Sequence, residues 1–401
     1  MSKGAIWSSG FRPFFLAAGS FGPLLLCAWF GARSDWWGVQ YGALPLPLLH
    51  AHELLFGFAA ALVCGVLTTA LPSWTGAAEL KGRPLIVLFA LWCAGRAAVF
   101  GASWLPPLLV AALDCALLPT LAVMLFLTVR SARRRLFWWT LPPLLTFAAA
   151  NIAFHIAILD ANLTNAQWAL TLGVHSLVFL FTLYGGLFVP AFTRRWLRER
   201  GEMAAAILMP LEYATALAMV AFAGADLFNA PRFWMVAAAL AAAAVQSWRL
   251  ARWRGWCTLS EPLLWCVHVG YAWLIVALLL RAAAALWPDV PKDAWIHAFT
   301  VGAYSMLKLG LMTRVALRHT GRPLKAPVPM QVAFLMMLAA ALLRLAFAVH
   351  GLGQVALGAA GLLWAGAFLI YLVVHGRMLL WPSLPRASAA GVGAVIGTKF
   401  P

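Results

Sequence analysis

Long apolar stretches alternate with short polar segments along the whole chain. Twelve of the stretches are long enough to cross a hydrocarbon core of about 30 Å, which takes roughly 20 mostly apolar residues in a helix. Backbone polar groups cannot stay unpaired in lipid, so each stretch is predicted to be an α-helix. The predicted spans are 12–30, 50–72, 84–101, 105–129, 137–159, 167–192, 205–225, 232–250, 260–287, 294–316, 327–350 and 352–380.

A histidine near the start of three spans indicates an internal repeat. His52, His175 and His297 are separated by 123 and 122 residues. The first and third copies also agree five, thirteen and sixteen residues later, at Gly57 and Gly302, Gly65 and Gly310, and Thr68 and Thr313. The middle copy keeps a Thr-Arg pair displaced by two residues. We predict one transmembrane domain over 1–401, made of three pseudo-repeats of four spans at about 10–130, 131–254 and 255–385.

Composition places the chain among membrane proteins. Apolar residues make up 64% of it, charged residues 10%, and the mean hydropathy is +0.88. These values lie outside the range of soluble domains. The glycines eight residues apart on the second and tenth spans permit close helix approach. The six cysteines show no C-x-x-C spacing, which argues against a disulfide framework and a zinc ribbon.

The net charge of +17 is an orientation signal. Basic residues cluster in alternate loops, which the positive-inside rule assigns to the cytoplasm together with both termini. This dispersal in short loops argues against nucleic acid as a partner and predicts a multi-pass membrane protein, with lipid as its surroundings. The intervening loops are predicted to lie outside, bordered by Trp36, Trp37, Trp104, Trp168, Trp287 and Trp295, and to hold Asp35, Asp160, Asp226, Asp289 and Asp293.

This topology brings six histidines to one depth near the outer surface, namely His50, His52, His155, His175, His297 and His350. A structural hydrogen bond is the usual role of a single buried imidazole. A layer of five or six is more than packing needs, and imidazole is a preferred ligand of haem iron and copper. We expect no carboxylate-rich cluster beside them, which disfavours zinc.

Helix geometry separates the two neighbouring histidines of the second span. Positions two apart point about 200° from each other, so His50 and His52 are predicted to serve different sites. The repeat selects His52 as the inward-facing one and leaves His50 for a second site, a loop contact or the interface. Glu53 either orients an imidazole by accepting its other N–H or interacts with the helix dipole.

Charged residues inside spans need partners. Arg96, Arg281 and Arg344 lie in the outer halves of their spans, where each should have an anionic partner or snorkel to the surface. Lys308 lies close to mid-membrane, either paired with an acid or serving a proton route or ligand contact. Asp114, Asn151 and Glu212 are the other intramembrane polar candidates.

Several segments resemble the signatures of the NnrS family of bacterial inner-membrane proteins. They are GFRPFFLAAGSFGPL (10–24), HAHELLFGF (50–58), PSWTG (72–76), HVGYAWL (268–274) and LMTRVALRHTGRP (311–323). The resemblance implies a polytopic protein containing haem, of b type, and copper. It also implies a link to nitric oxide exposure, denitrification and resistance to nitrosative stress.

Histidines on the second, sixth and tenth of twelve spans also resemble the catalytic subunit of haem–copper oxidases and nitric oxide reductases, although fold analogy alone does not transfer function. Our hypothesis is a membrane haem protein, with copper, that binds or processes nitric oxide as a ligand or as the substrate of an oxidoreductase. The alternatives are a transporter of a metal or metal–nitrosyl complex, and a nitric oxide sensor without turnover.

The hypothesis gives each candidate side chain a role. His52 and His297 would hold haem, with Arg96 and Arg344 directed toward the propionates and Arg281 as a third cofactor-binding cation. His175 with His155 would hold copper or an open coordination position, and His50 remains a further candidate metal ligand. The electron donor is left open.

Overall fold

The structure, a computed structural model, describes residues 5–33, 44–130, 135–203 and 205–385, which contain helices and no strand. Ten helices are long and apolar enough to cross a membrane. They are α1 (Phe11–Arg33), α2 (Leu46–Thr75), α3 (Arg83–Phe100), α4 (Pro107–Val129), α5 (Phe137–Leu159), α6 (Leu163–Arg198), α8 (Arg232–Arg252), α9 (Pro262–Leu286), α11 (Val328–His350) and α12 (Gln354–Leu380). The prediction of an all-α polytopic membrane protein is confirmed.

Two further helices occupy the remaining predicted spans. They are α7 (Met209–Leu227) and α10, which is continuous over 294–319. Neither is among the ten helices that are long and apolar enough to cross a membrane, so the count of twelve spans and the threefold repeat stay predictions. Trp36 and Trp37 of the predicted aromatic belt, Arg133 and Arg134 of a predicted basic loop, and both chain termini lie outside the described residues.

The helices that carry the repeat histidines His52, His175 and His297, namely α2, α6 and α10, lie in the interior of the bundle. Within their most apolar windows, 89% of α2 and 78% of α6 is buried, more than in any other of the ten spans. Almost every residue of α10 from Gly302 to Leu317 is buried as well. The first helix, α1, packs against the last helix, α12, and so closes the ring of surrounding helices. This ring encloses α2, α6 and α10. Side chains such as Trp104 and Val373 stay more than four-fifths exposed on the outside, as lipid contact requires.

A π-helical segment follows the repeat histidine in α2 and in α10. These segments are Glu53–Ala59, directly after His52, and Ala298–Ser305, directly after His297. Such segments weaken the regular hydrogen-bond ladder and occur often at functional sites. Side chains of neighbouring helices donate to carbonyl oxygens of the α2 segment: the Trp92 indole donates to Gly57 O at 2.9 Å, and the Tyr304 hydroxyl of the α10 segment donates to Ala59 O at 3.0 Å.

The glycines shared by these two helices allow close packing, as predicted. A Cβ added to Gly57 would lie 2.6 Å from the Phe21 ring, and one added to Gly302 would lie 2.5 Å from the Trp273 ring. Neither distance leaves room for a methyl group. The two helices therefore meet aromatic side chains of their neighbours at the level of the π segments.

Arg12 joins the start of α1 to the end of α12. Its side chain is 2% exposed and donates to the carbonyl oxygens of Met378, Leu379 and Trp381 at 2.6 to 3.1 Å, and to Ser383 Oγ. The last carbonyls of a helix have no partner within the helix and carry partial negative charge. The guanidinium supplies both the donors and the charge that this helix end needs.

We expect Arg12→Met to lower the free energy of unfolding by about 2–4 kcal/mol, because a buried helix end loses charged donors. The end of α12 should also become sensitive to protease. Thermal unfolding and limited proteolysis of the detergent-purified protein measure both effects. Arg33→Met, at the exposed end of α1, is the matched control. Equal stability of the two variants would contradict the role given to Arg12.

Candidate metal centre

Six polar side chains from α2 to α5 form a buried cluster, which we call the His52 cluster. Each member is nine-tenths or more buried. The members are His52, Glu53, Arg96, Asp114, Asn151 and His155. Four helices therefore contribute to a polar site surrounded by hydrocarbon, where each unpaired group would be costly.

Local sequence sets the direction of these side chains. His52 ends the first α-helical part of α2, and Glu53 begins its π segment. Asp114 precedes a break in α4 at Ala116, three residues before Pro119, whose missing N–H leaves a gap in the helical hydrogen-bond ladder. Asn151 and His155 are one turn apart on α5, so both face Asp114.

Arg96 holds the two carboxylates of the cluster. Its Nη1 donates to Glu53 Oε1 and its Nη2 donates to Asp114 Oδ1. The predicted need for an anionic partner is met twice. Since Arg96 uses one oxygen of each acid, Asp114 Oδ2 stays directed toward the histidines.

His52 has an acceptor at each ring nitrogen. Nδ1 lies 3.0 Å from Glu53 Oε1, which fits the first of the two roles that the sequence left open for this carboxylate. Nε2 lies 3.1 Å from Asn151 Oδ1 and 3.2 Å from Asp114 Oδ2. A neutral imidazole has one N–H, which leaves a lone pair at the other nitrogen. With the proton on Nδ1, that lone pair would face two oxygen atoms, an arrangement that requires a cation or a second proton between them.

Asp114 Oδ2 is the meeting point of the cluster. His155 Nε2 lies 2.9 Å from it, and Asn151 Nδ2 donates to it at 2.9 Å. The ligand atoms offered by His52, Asp114 and His155 all lie within 4.8 Å of one another. Two imidazoles and one carboxylate form a donor set that binds first-row transition metals. Two carboxylates against one arginine also leave a negative charge for a cation to neutralise.

A second group, the His175 cluster, uses the same residue types. His175 Nε2 lies 2.9 Å from Asp226 Oδ2, and Arg281 Nε donates to Asp226 Oδ1 at 2.6 Å. The other ring nitrogen of His175 is buried without a hydrogen-bond partner. The imidazole packs against the rings of Phe222 and Trp295. One carboxylate again joins a repeat histidine to an arginine.

The third repeat histidine lacks such a bridge. His297 Nδ1 lies 3.1 Å from the backbone oxygen of Asp293, whose carboxylate is 3.8 Å away. Arg344 and His50 interact electrostatically with His297. His50 packs on the Trp29 ring at 4.8 Å, in surroundings different from those of His52, as helix geometry predicted. Among the residues that the structure describes, Arg344 forms no ion pair, and its guanidinium lies over the Phe347 ring.

Three sequence-based expectations are wrong in detail. Carboxylates do adjoin the histidines, because Asp114 reaches His52 from a helix 62 residues further along the chain. Asp226, expected in an outer loop, is buried in the last turn of α7, where it balances Arg281. His155 contacts His52, with ring centroids 5.4 Å apart, and not His175.

The predicted haem pair also differs from the observed grouping. His52 belongs to the His52 cluster, whereas His297 lies outside it and contacts Asp293. Arg96 is already neutralised by Glu53 and Asp114. Sequence reasoning named Asp114 and Asn151 only as polar candidates. The positions of Asp114 and Asn151 in the sequence do not indicate that they contact His52. They reach His52 because of how α4 and α5 are rotated about their axes.

We expect Asp114→Asn to lower the free energy of unfolding by about 3–5 kcal/mol, because Arg96 and His52 would lose a buried charged partner. Denaturant or thermal unfolding in detergent measures the change. Asp289→Asn, at an exposed position, is the matched control and should stay near wild type. A loss below about 1 kcal/mol in Asp114→Asn would contradict the central position of this carboxylate.

Comparison with known proteins gives the family. A family model described as NnrS protein matches residues 5–383, nearly the whole chain. No curated protein matches the sequence. The match includes all four helices of the His52 cluster, and the chain belongs to the NnrS family.

Proposed function

We propose that this chain is a membrane metalloprotein that binds nitric oxide at a metal ion held by His52, His155 and Asp114. The NnrS family name links the chain to the nitric oxide response. The observation that carries the proposal is the position of His52 Nε2, which faces two oxygen atoms inside a buried, negatively charged cluster. We further propose that the protein lies in the bacterial inner membrane with both termini in the cytoplasm.

The donor set favours iron or copper. Imidazole suits both metals, and two histidines with one carboxylate are typical of iron(II) sites that keep open coordination positions. An ion held here would supply an open position at which a small neutral molecule such as nitric oxide binds. Hydrocarbon surrounds the cluster, so an uncharged, weakly polar ligand reaches it from the lipid more easily than an ion does.

The neighbouring residues would prepare the ligands. Glu53 accepts the Nδ1 proton of His52, which leaves the Nε2 lone pair for the metal and fixes the ring. Arg96 holds Glu53 and Asp114 by one oxygen each and so positions the carboxylate that would bind the ion. With a divalent ion, the charges of the cluster would sum to about one positive unit instead of one negative unit.

A haem does not fit the described residues in the same way. The best-formed cavities have volumes of about 10 Å³, room for roughly one water molecule. Sites for larger ligands usually have about 300–1,000 Å³. Of the two histidines proposed for haem, His52 belongs to the His52 cluster, whereas His297 lies outside it and contacts the backbone oxygen of Asp293. We therefore propose a mononuclear iron or copper ion as the cofactor and assign no step to haem.

Metal analysis of the detergent-purified protein tests the proposal. We expect about one iron or copper ion per chain, and a loss of at least about tenfold in His52→Gln and His155→Gln, because each removes one of three ligands. His350→Gln, at an exposed histidine, is the matched control and should keep the metal. Size-exclusion profiles establish that the variants are folded.

The ligand is tested on the same samples. Adding nitric oxide to the reduced wild-type protein should change its electron paramagnetic resonance or optical spectrum, and this change should disappear in the two metal-free variants. Full metal content in both variants would contradict the assigned ligands. A metal-loaded protein whose spectrum ignores nitric oxide would contradict the proposed ligand while leaving the metal centre standing.

A further inference from the structure

Lys308 lies on a cavity where the three inner helices meet. Its side chain is on α10, eleven residues after His297, and it is 7% exposed. The cavity has a volume of about 10 Å³. Its walls include Val63 and Val66 of α2, Phe181 and Tyr184 of α6, and Tyr304 and Lys308 of α10.

In the described part of the chain, Lys308 lacks partners of the kind that Arg12, Arg96 and Arg249 have. Arg96 and Arg249 are paired with carboxylates, and Arg12 donates to several carbonyl oxygens. Within the described ranges, the lysine has neither a hydrogen bond nor an ion pair, and its nearest polarisable group is the Tyr304 ring, 5.2 Å from Nζ. A cation–π contact contributes only about 0.5–2 kcal/mol, well below the cost of burying an ammonium group.

The walls of the cavity do not supply a counterion. The Tyr304 hydroxyl donates to Ala59 O, and the Tyr184 hydroxyl shares a 2.7 Å hydrogen bond with Thr140 Oγ1. The other lining residues are hydrocarbon. A charged ammonium group has three donors and no acceptor, so its hydrogen bonds and its charge balance would both come from whatever fills the cavity. One water molecule would accept a hydrogen bond but would leave the charge unbalanced.

We propose that this cavity binds one small monovalent anion against Lys308. The volume of about 10 Å³ restricts the anion to a single-atom halide such as chloride, and it excludes polyatomic anions such as sulfate. The site is distinct from the proposed metal centre, because the eleven residues from His52 to Val63 rise about 16 Å along α2. The two sites can therefore be tested independently.

Thermal unfolding of the wild-type protein in different sodium salts tests the anion. Starting from gluconate at constant ionic strength, chloride should raise the unfolding temperature in a saturable way, by about 2 °C or more when present at a large excess over the dissociation constant. Sulfate should give no saturable rise. No saturable stabilisation by chloride, or equal saturable stabilisation by sulfate, would overturn the proposal.

Lys308→Met removes the ammonium group while keeping a side chain of similar length. The anion-dependent shift should vanish in this variant. Lys292→Met, whose lysine is exposed and donates to Asn229, is the matched control and should keep the full shift. A shift retained in Lys308→Met would overturn the proposal. Unchanged metal content in Lys308→Met shows that the proposed metal centre is intact. If Lys308→Met does not fold, the salt series on the wild-type protein decides whether the anion site exists.

Discussion

The ion pairs of Arg96 with Glu53 and Asp114 set the geometry of the most polar part of this bundle. A charge in the hydrocarbon core is stable only beside a partner, and removing one partner is more costly than the pair is worth. The guanidinium on α3 fixes the acids of α2 and α4, and Asp114 in turn contacts Asn151 and His155 on α5. One arginine thus determines how four helices are rotated relative to one another.

The same constraint explains why the site can hold a cation. Arg96 neutralises one of two carboxylates, and its two donors leave Asp114 Oδ2 facing the histidines. The excess negative charge and the imidazole lone pair then lie together in a region without solvent. The His175 cluster is different, because one carboxylate balances one arginine there and contacts a single imidazole. Residue types alone do not separate the two clusters, whereas their charge sums and ligand counts do.

Hydropathy was sufficient to predict the helices, and charge left two alternatives for Arg96 and Arg281, an anionic partner or a position at the membrane surface. The structure shows an acid beside each of them. Asp114 meets His52 only because of how α4 is rotated, and the charge of Asp226 makes a buried helix end look like a loop in a hydropathy plot. The π segment after His52 likewise has no sequence signature, and of the two roles that the sequence left open for Glu53 the structure shows the contact with the His52 ring.

Among the described residues, Lys308 is a buried basic side chain without the ion pairs that stabilise the His52 and His175 clusters. Glycines, aromatic rings and aliphatic side chains pack the inner helices closely, and among the described residues the buried carboxylates Glu53, Asp114 and Asp226 each contact an arginine. Around Lys308, α6 and α10 contribute tyrosines that are already hydrogen-bonded elsewhere, and the described side chains leave its donors unused. A fold that satisfies Arg12 with carbonyl oxygens and Arg96 with two acids could have placed a leucine at 308. The retained ammonium group beside a water-sized cavity is therefore best explained by an occupant that carries negative charge.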